Sequence, residues 1–206
     1  MTFPDVDRTR PTGDALHDHG AGTAAARETL WTIGHSTRPW DAFLALLQEA
    51  DIEMLVDVRR YAGSRRNPQF SPATMAPALG QAGIHFQPMP EFGGRRRPGH
   101  HSPNTAWRVP AFRAYADYMA TPDYVHARDR LAQVARDQRT AVMCAEAVWW
   151  RCHRRLIADD FIARGWQVLH LMAPGRSNGH PLHEAARMID GVLRYPAQSD
   201  AQARLF

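Results

Sequence analysis

The chain of 206 residues contains no lysine, because all 25 of its basic residues are arginine. Without a lysine side chain the protein cannot form a Schiff base with a substrate, and it cannot build a P-loop, which requires a Gly-Lys-Ser/Thr sequence. A compositional bias of the genome is the simplest explanation for this absence. Every cationic side chain is nevertheless a permanently charged, planar guanidinium that can bind a carboxylate or phosphate through two hydrogen bonds.

Cysteine and long apolar runs are also scarce. The two cysteines, Cys144 and Cys152, are too few for a secreted disulfide scaffold, so we expect reduced thiols in a cytoplasmic protein. The sequence contains no run of about eighteen apolar residues, so it predicts no membrane span and no membrane partner. Residues 1–28 lack the apolar core of a signal peptide. We therefore predict a disordered leader over 1–28, one domain over 29–195 and a tail over 196–206.

The basic residues are concentrated in the middle of the chain. Residues 59–113 hold nine arginines against a single acid, Glu91, whereas residues 1–58 hold ten acids against four arginines. Such a basic zone favours an anionic partner, either a small molecule with phosphate groups or a nucleic acid. A solvated basic face with no partner would leave the same pattern.

Short apolar segments alternate with segments of helical periodicity along residues 29–195. Strands are predicted over 30–33, 54–58, 84–89, 141–144 and 167–172, and the helices include one over 150–164 and a last short one over 183–189. This alternation predicts an α/β fold: a single three-layer domain with a mostly parallel sheet of about five strands and helices on both faces. A Gly-x-Gly-x-x-Gly fingerprint is absent, which disfavours a dinucleotide-binding domain.

Polar residues follow the predicted strands at the points where the strands end. The carboxyl ends of parallel strands meet at one edge of the sheet, so we expect these residues to converge on one site there. The candidate catalytic residues are Cys144, Glu146, Cys152, His153, His35 and Asp57. The candidate anion-binding or substrate-binding residues are Ser36, Arg59, Arg95, Arg113, Tyr115 and Arg154.

The two cysteines have a structural and a chemical interpretation. A cysteine at a strand end is often a packed core residue. A helix start and neighbouring arginine or histidine would instead lower a thiol pKa and favour the thiolate, above all at Cys152. No standard thiol motif is present, because six residues separate Cys144 from Arg151 and there is no Cys-x-x-Cys pair.

A metal site is a further alternative. Cys144, Cys152 and His153, with His35 or His170, would supply the sulfur and nitrogen ligands that suit zinc or iron. On a helix, however, the adjacent residues Cys152 and His153 would point about 100° apart, which makes binding to one ion awkward. The sequence alone therefore assigns no metal.

Asp57 ends an apolar strand and is followed closely by arginines. It is either one partner of a salt bridge or a general base that orients another catalytic group. The sequence favours neither interpretation over the other.

Several segments form a combined pattern: Thr-Ile-Gly-His-Ser at 32–36, Leu-Val-Asp-Val-Arg at 55–59, Ser-Arg-Arg-Asn-Pro-Gln-Phe at 64–70, Gly-Gly-Arg at 93–95, Ser-Pro-Asn at 102–104, Phe-Arg-Ala-Tyr-Ala-Asp-Tyr-Met at 112–119, Met-Cys-Ala-Glu at 143–146 and Cys-His-Arg at 152–154. Together they resemble the DUF488 family of bacterial and archaeal proteins of uncharacterised function. The family pattern usually has proline where Trp149 stands. The resemblance implies a compact α/β fold with a polar rim, and it supplies no substrate.

Two classes of function remain open. The first is an enzyme with a Cys/His/Glu/Arg site at the carboxyl rim of the sheet, acting on a phosphorylated, nucleotide-like or nucleic-acid substrate. The second is a non-catalytic nucleic-acid-binding module that uses the arginines of residues 59–113. A domain whose cysteines and histidines serve only its core is a third interpretation, and no oligomeric state is predicted.

Overall fold

A computed structural model describes residues 28–63, 66–97, 99 and 101–197. Apart from Glu28, the predicted disordered leader lies outside the described residues. So does the predicted tail after Ala197. No helix in the described ranges is long and apolar enough to cross a membrane.

Strands and helices alternate through most of the chain, as predicted. The strands are β1 (Thr29–Gly34), β2 (Met54–Asp57), β3 (His85–Pro88), β4 (Thr140–Cys144), β5 (Gln167–Ala173), β6 (Arg176–Gly179), β7 (Arg187–Ile189) and β8 (Val192–Arg194). The helices are α1 (Trp40–Glu49), α2 (Pro72–Gln81), α3 (Pro110–Tyr118), α4 (Pro122–Asp137) and α5 (Arg154–Ala163), with short 3₁₀ turns at Pro68–Phe70, Pro90–Phe92 and Trp149–Arg151.

Six strands form the main sheet in the order β3-β2-β4-β1-β5-β6. The first five are parallel, and β6 pairs antiparallel with β5. The predicted mostly parallel sheet is thus confirmed, with one strand more than expected at its edge. The central strands β1 and β4 are almost wholly buried, which explains why their sequences read as continuous apolar runs.

Two apolar cores, one on each face of the sheet, give the domain its three layers. One core contains buried residues of α1 and α2, including Phe43 and Leu79. The other contains buried residues of α3, α4 and α5, including Tyr115, Leu131 and Leu156. Alternate residues of each strand face the two cores, so helices cover both faces of the sheet.

Two helix predictions were wrong in part or in whole. The predicted helix over 183–189 is absent, and β7 instead pairs with β8 in a hairpin whose turn is Asp190-Gly191. Both turn residues have positive φ, 50° and 75°, as a tight hairpin turn requires. The helix predicted from residue 150 begins only at Arg154, because Cys152 is extended with φ −121° and ψ 151°.

Candidate functional site

The carboxyl ends of β1, β2 and β4 lie side by side at one edge of the sheet. Gly34 is in register with Cys144, and Asp57 is in register with Met143. The pairing continues into the loops, where the His35 amide donates to the Cys144 carbonyl oxygen at 3.0 Å. The loops that follow three strands therefore start from fixed positions around one point.

A cavity of about 410 Å³ opens at this edge. Seven of the twelve residues predicted for the site line it: Cys144, Glu146, Cys152, His153, Arg59, Arg95 and Tyr115. They come from the end of β4, the loop before α5, the segments after β2 and β3, and α3. The convergence expected from strand polarity thus brings together more than half of the candidates.

Cys144, Cys152 and His153 form a compact cluster at the floor of the cavity. The His153 Nδ1 atom lies 3.6 Å from the Cys152 sulfur and 3.9 Å from the Cys144 sulfur. All three donor atoms lie within 4.8 Å of one another. The two cysteines are 6% and 2% exposed and His153 is half-buried, and all three line the cavity.

The orientation of the His153 ring follows from its second nitrogen. Nε2 lies 3.3 Å from the carbonyl oxygen of Val58, which can only accept a hydrogen bond. Nε2 therefore carries the proton, and in the neutral ring Nδ1 presents a lone pair to both sulfurs. This arrangement lets His153 accept a proton from either thiol.

The two thiols are electrostatically unequal. The hydrogen bond with Cys152, together with burial, raises the pKa of Cys144. Burial also opposes ionisation of Cys152, but the hydrogen bond from Cys144 and the neighbouring His153 outweigh it and lower the pKa of Cys152 well below its usual value. The backbone N–H of Arg154 adds a contact at 3.5 Å to the Cys152 sulfur. Cys152 is consequently the thiol that ionises more readily.

His35, Asp57 and Arg59 form a second, separate cluster beside the cavity. Arg59 donates from Nε and Nη2 to the Asp57 carboxylate at 2.8 and 2.6 Å, and its Nη1 lies 3.0 Å from His35 Nε2. Arg59 Nη2 also donates to the Phe70 carbonyl oxygen. His35 Nδ1 donates to the Ser36 carbonyl oxygen, and burial is the main cause that lowers the pKa of His35 to about 4.

This second cluster places three of the predicted residues away from the cavity wall. His35, Asp57 and Ser36 do not line the cavity, and all three nitrogens of the Arg59 guanidinium are already engaged by protein atoms. Their arrangement matches the salt-bridge interpretation of Asp57. Asp57 and His35 hold the Arg59 side chain in position at the cavity wall.

Arg154 lies under the cavity rather than in it. Its side chain is 1% exposed, and it donates to the Glu146 carbonyl oxygen at 2.7 Å and to Thr32 Oγ1 at 3.3 Å. Gly34 lies against the same loop, where a β-carbon would contact both the Glu146 carbonyl and the Arg154 guanidinium. Arg154 therefore holds the loop that carries Glu146 in place.

A chain of buried hydrogen bonds continues from Arg154 across the domain. Thr32 Oγ1 lies 2.6 Å from His170 Nδ1, His170 Nε2 lies 2.9 Å from His180 Nδ1, and His180 Nε2 lies 2.9 Å from Asp159 Oδ1. The carboxylate can only accept, so with neutral rings each group donates towards Asp159. The dipoles thus all run from the Arg154 cation to the Asp159 anion.

Two further candidates for substrate binding have structural partners. Arg113 donates twice to the Trp107 carbonyl oxygen and does not line the cavity. Tyr115 lines the cavity, but its hydroxyl donates to the Phe92 carbonyl oxygen at 2.7 Å and its side chain is 1% exposed. Tyr115 therefore contributes its ring to the cavity wall, while its hydroxyl is engaged by Phe92.

The rim of the cavity carries residues that the sequence analysis did not select. Arg60 and Arg151 are exposed, like Arg95, and within the described ranges no carboxylate pairs with any of the three. Tyr61 is 69% exposed and lies about 6 Å from the guanidinium groups of Arg60 and Arg95. The high density of arginine in residues 59–113 was a signal for Arg60, but it could not distinguish Arg60 from the other arginines there, and Arg151 lies outside that segment.

Trp149 is the position at which the sequence departs from the resemblance described above, which implies proline there. Its ring stacks on His170 with centroids 4.5 Å apart and planes 7° apart, and the side chain is 9% exposed. The tryptophan therefore packs against the buried hydrogen-bond chain. It is not available to stack on a bound ring.

Comparison with known families gives one match. The model of the family described as "Domain of unknown function DUF488" matches residues 39–161, which include Cys144, Glu146, Cys152 and His153. No curated protein sequence and no solved structure shows a significant match.

Proposed function

We propose that this chain, which belongs to the DUF488 family, is an enzyme that hydrolyses or transfers a group of a phosphorylated or nucleotide-like substrate. One observation carries the proposal. Two sulfurs and an imidazole lie together at the floor of a 410 Å³ cavity whose rim carries arginines without carboxylate partners among the described residues. A structural core has no need for such a cluster beneath unpaired cations.

Arg60, Arg95 and Arg151 are the residues that we assign to anion binding. Their guanidinium groups are exposed at the rim of the cavity and can each give two parallel hydrogen bonds to a phosphate. Arg59 would act differently, because its donors are already used within the protein. It would contribute positive charge at the cavity wall and little direct contact.

His153 and Glu146 are the residues that we assign to proton transfer. His153 Nδ1 lies at the floor of the cavity with its tautomer set by Val58, and Glu146 is an exposed carboxylate on the same connection between β4 and α5. An acid and a base on one cavity are what a hydrolytic or transfer reaction requires. His35 and Asp57 would be positioning residues that act through Arg59.

A second candidate function is binding of single-stranded nucleic acid without catalysis. Tyr61 is the observation that favours it, because an exposed aromatic ring between two arginines is a suitable surface on which a base can stack. Binding of this kind weakens steeply with salt and would survive Cys144→Ser. Both functions fit a cytoplasmic protein with reduced thiols and no membrane partner, which is part of the proposal.

The proposal is tested by titrating the full chain with pyrophosphate and with nucleoside phosphates by calorimetry, and by assaying phosphate release from the same panel. Arg60→Gln and Arg151→Gln should each weaken binding about tenfold or more, because a hydrogen bond to a charged group contributes roughly 1.5–3 kcal/mol. Arg130→Gln is the matched control, since Arg130 pairs with Glu91 on the surface.

Phosphate release that is lost in Cys144→Ser while anion binding persists would support the enzyme. Binding of oligonucleotides with a steep salt dependence, unchanged in Cys144→Ser and without turnover, would favour the second candidate. Equal affinity of the wild type and both rim variants for every anion tested would contradict the assignment of the rim.

A further inference from the structure

We infer that Cys144, Cys152 and His153 are the ligands of a zinc ion, bound through the two sulfurs and through Nδ1, with a fourth position open to the cavity. The site rests on the donor geometry of these three residues. Its assignment as the reactive centre of an enzyme rests in addition on the function proposed above. With zinc bound, His153 Nδ1 acts as a ligand, and the proton transfer assigned above to His153 and Glu146 is then made by Glu146 alone.

The nitrogen–sulfur distances are close to those of a tetrahedral zinc site. With zinc–sulfur bonds of about 2.3 Å and zinc–nitrogen bonds of about 2.0 Å, tetrahedral ligands have sulfur and nitrogen about 3.5 Å apart. The observed separations from His153 Nδ1 are 3.6 Å to Cys152 and 3.9 Å to Cys144. The two sulfurs lie within 4.8 Å of each other, and a tetrahedral site places them about 3.8 Å apart, so zinc binding requires Cys144 to move towards Cys152 and His153 by up to about 1 Å.

The local backbone explains how neighbouring residues can bind one ion. Cys152 is extended, between a 3₁₀ turn and the start of α5, and His153 is the residue immediately before the helix. Their side chains are therefore free of the 100° offset that two adjacent helical residues would have. Cys144 reaches the same point from the end of β4.

The hydrogen bond between His153 and Val58 is of a kind that is common in known metal sites. A histidine that binds a metal through one nitrogen usually donates the other N–H to a carbonyl or carboxylate, which sets the ring and its tautomer. His153 Nε2 makes this contact with the Val58 carbonyl oxygen at 3.3 Å. The lone pair on Nδ1 is thereby directed at the two sulfurs whether or not a metal is bound.

The three ligands favour zinc and leave its fourth coordination position for water or substrate. Two thiolates and an imidazole suit a borderline-soft ion such as zinc, and the charges of two thiolates cancel that of the dication, which makes burial less costly. A site with three protein ligands keeps its fourth position for water or substrate, and here that position faces the cavity beneath Arg60 and Arg151. Zinc there would polarise a substrate oxygen or lower the pKa of a bound water.

The test uses the full chain, stripped of metal under reducing conditions, and titrates it with Zn²⁺ in competition with a chromogenic chelator. We expect one zinc per chain, and with Co²⁺ we expect the absorption band of thiolate-to-cobalt charge transfer. Cys144→Ser, Cys152→Ser and His153→Ala should each weaken zinc binding by about 100-fold or more. His126→Ala, at an exposed histidine on α4, is the control and should bind as the wild type does.

A measurement on the wild type guards against variants that fail to fold. Bound Zn²⁺ should protect both cysteines from iodoacetamide, which modifies them in the metal-free chain. A wild type without the cobalt–thiolate band, equal zinc affinity in the variants, or alkylation unaffected by zinc would each overturn the inference. Iron recovered at these ligands in place of zinc would overturn the choice of metal.

The two proposals fail separately. Zinc binding by the wild type, with phosphate binding unaffected by Arg60→Gln and Arg151→Gln, would leave the metal site standing and contradict the anion-directed function. Phosphate binding that depends on the rim, in a chain without metal affinity, would do the reverse.

Discussion

The buried ion pair between Asp57 and Arg59 should make the fold highly sensitive to loss of the guanidinium. In Arg59→Met the Asp57 side chain, 1% exposed, would keep only the backbone N–H of residue 59 as a donor. Removing one partner of a buried pair costs about 3–5 kcal/mol, because the remaining charge is neither solvated nor paired. For a domain of this size, that loss corresponds to a drop in melting temperature of roughly 6–20 °C.

A surface pair of the same length isolates the effect of burial. Arg130 and Glu91 also approach to 2.6 Å, but their side chains are 56% and 37% exposed, against 6% and 1% for Arg59 and Asp57. Arg130→Met should therefore cost no more than about 1 kcal/mol. Urea denaturation of both variants measures the free energy of unfolding directly.

The double variant Asp57→Leu/Arg59→Met separates pairing from packing. With both charges gone, most of the stability lost in Arg59→Met should return, because no buried charge is left without a partner. The reasoning is refuted if Arg59→Met costs no more than Arg130→Met, or if the double variant is as unstable as the single one.

Two further changes test the packing behind the cavity. Gly34→Ala should destabilise the fold by about 2 kcal/mol or more, since its β-carbon would overlap the Glu146 carbonyl oxygen. The control is Gly80→Ala in α2, whose β-carbon would meet nothing within 4 Å and which should be neutral or stabilising. Equal free energies of unfolding for the two variants would contradict this. Burial and the neighbouring His180 lower the pKa of His170 to about 2, so acid favours the unfolded chain, which takes up the proton at about pH 6.5. Urea titrations between about pH 6.5 and 4.5 should show a smaller loss of stability in His170→Asn than in the wild type, and equal slopes would speak against a buried neutral His170.

Strand polarity was the part of the site that the sequence predicted well. Cys144 and Glu146 follow a parallel strand, and such strands end at one edge whatever the register. The direction of a side chain just past a strand end was not predictable. Ser36 adopts a positive φ of 49°, and His35 beside it points to Arg59 instead of the cavity.

The start of α5 shows why the close approach of Cys152 and His153 could not be predicted from the sequence. The residue before the helix is His153, whose side chain makes no capping hydrogen bond, so the usual serine, threonine, aspartate or asparagine signal is absent. No glycine or proline interrupts residues 150–164, and the predicted helix therefore began too early. The extended conformation at Cys152, which brings it together with His153, leaves no mark in the sequence pattern.

The chain of hydrogen bonds from Arg154 to Asp159 has a consequence for truncated forms of the protein. Two of its members, His170 and His180, come from β5 and from the segment after β6, and Tyr195 donates to Asp159 from beyond β8. The far C-terminal quarter therefore anchors the loop that carries Glu146, although none of it touches the cavity. A fragment ending after α5 would retain every residue that lines the cavity. It would lose the hydrogen bonds through His170 and His180 that support Arg154 and the loop carrying Glu146.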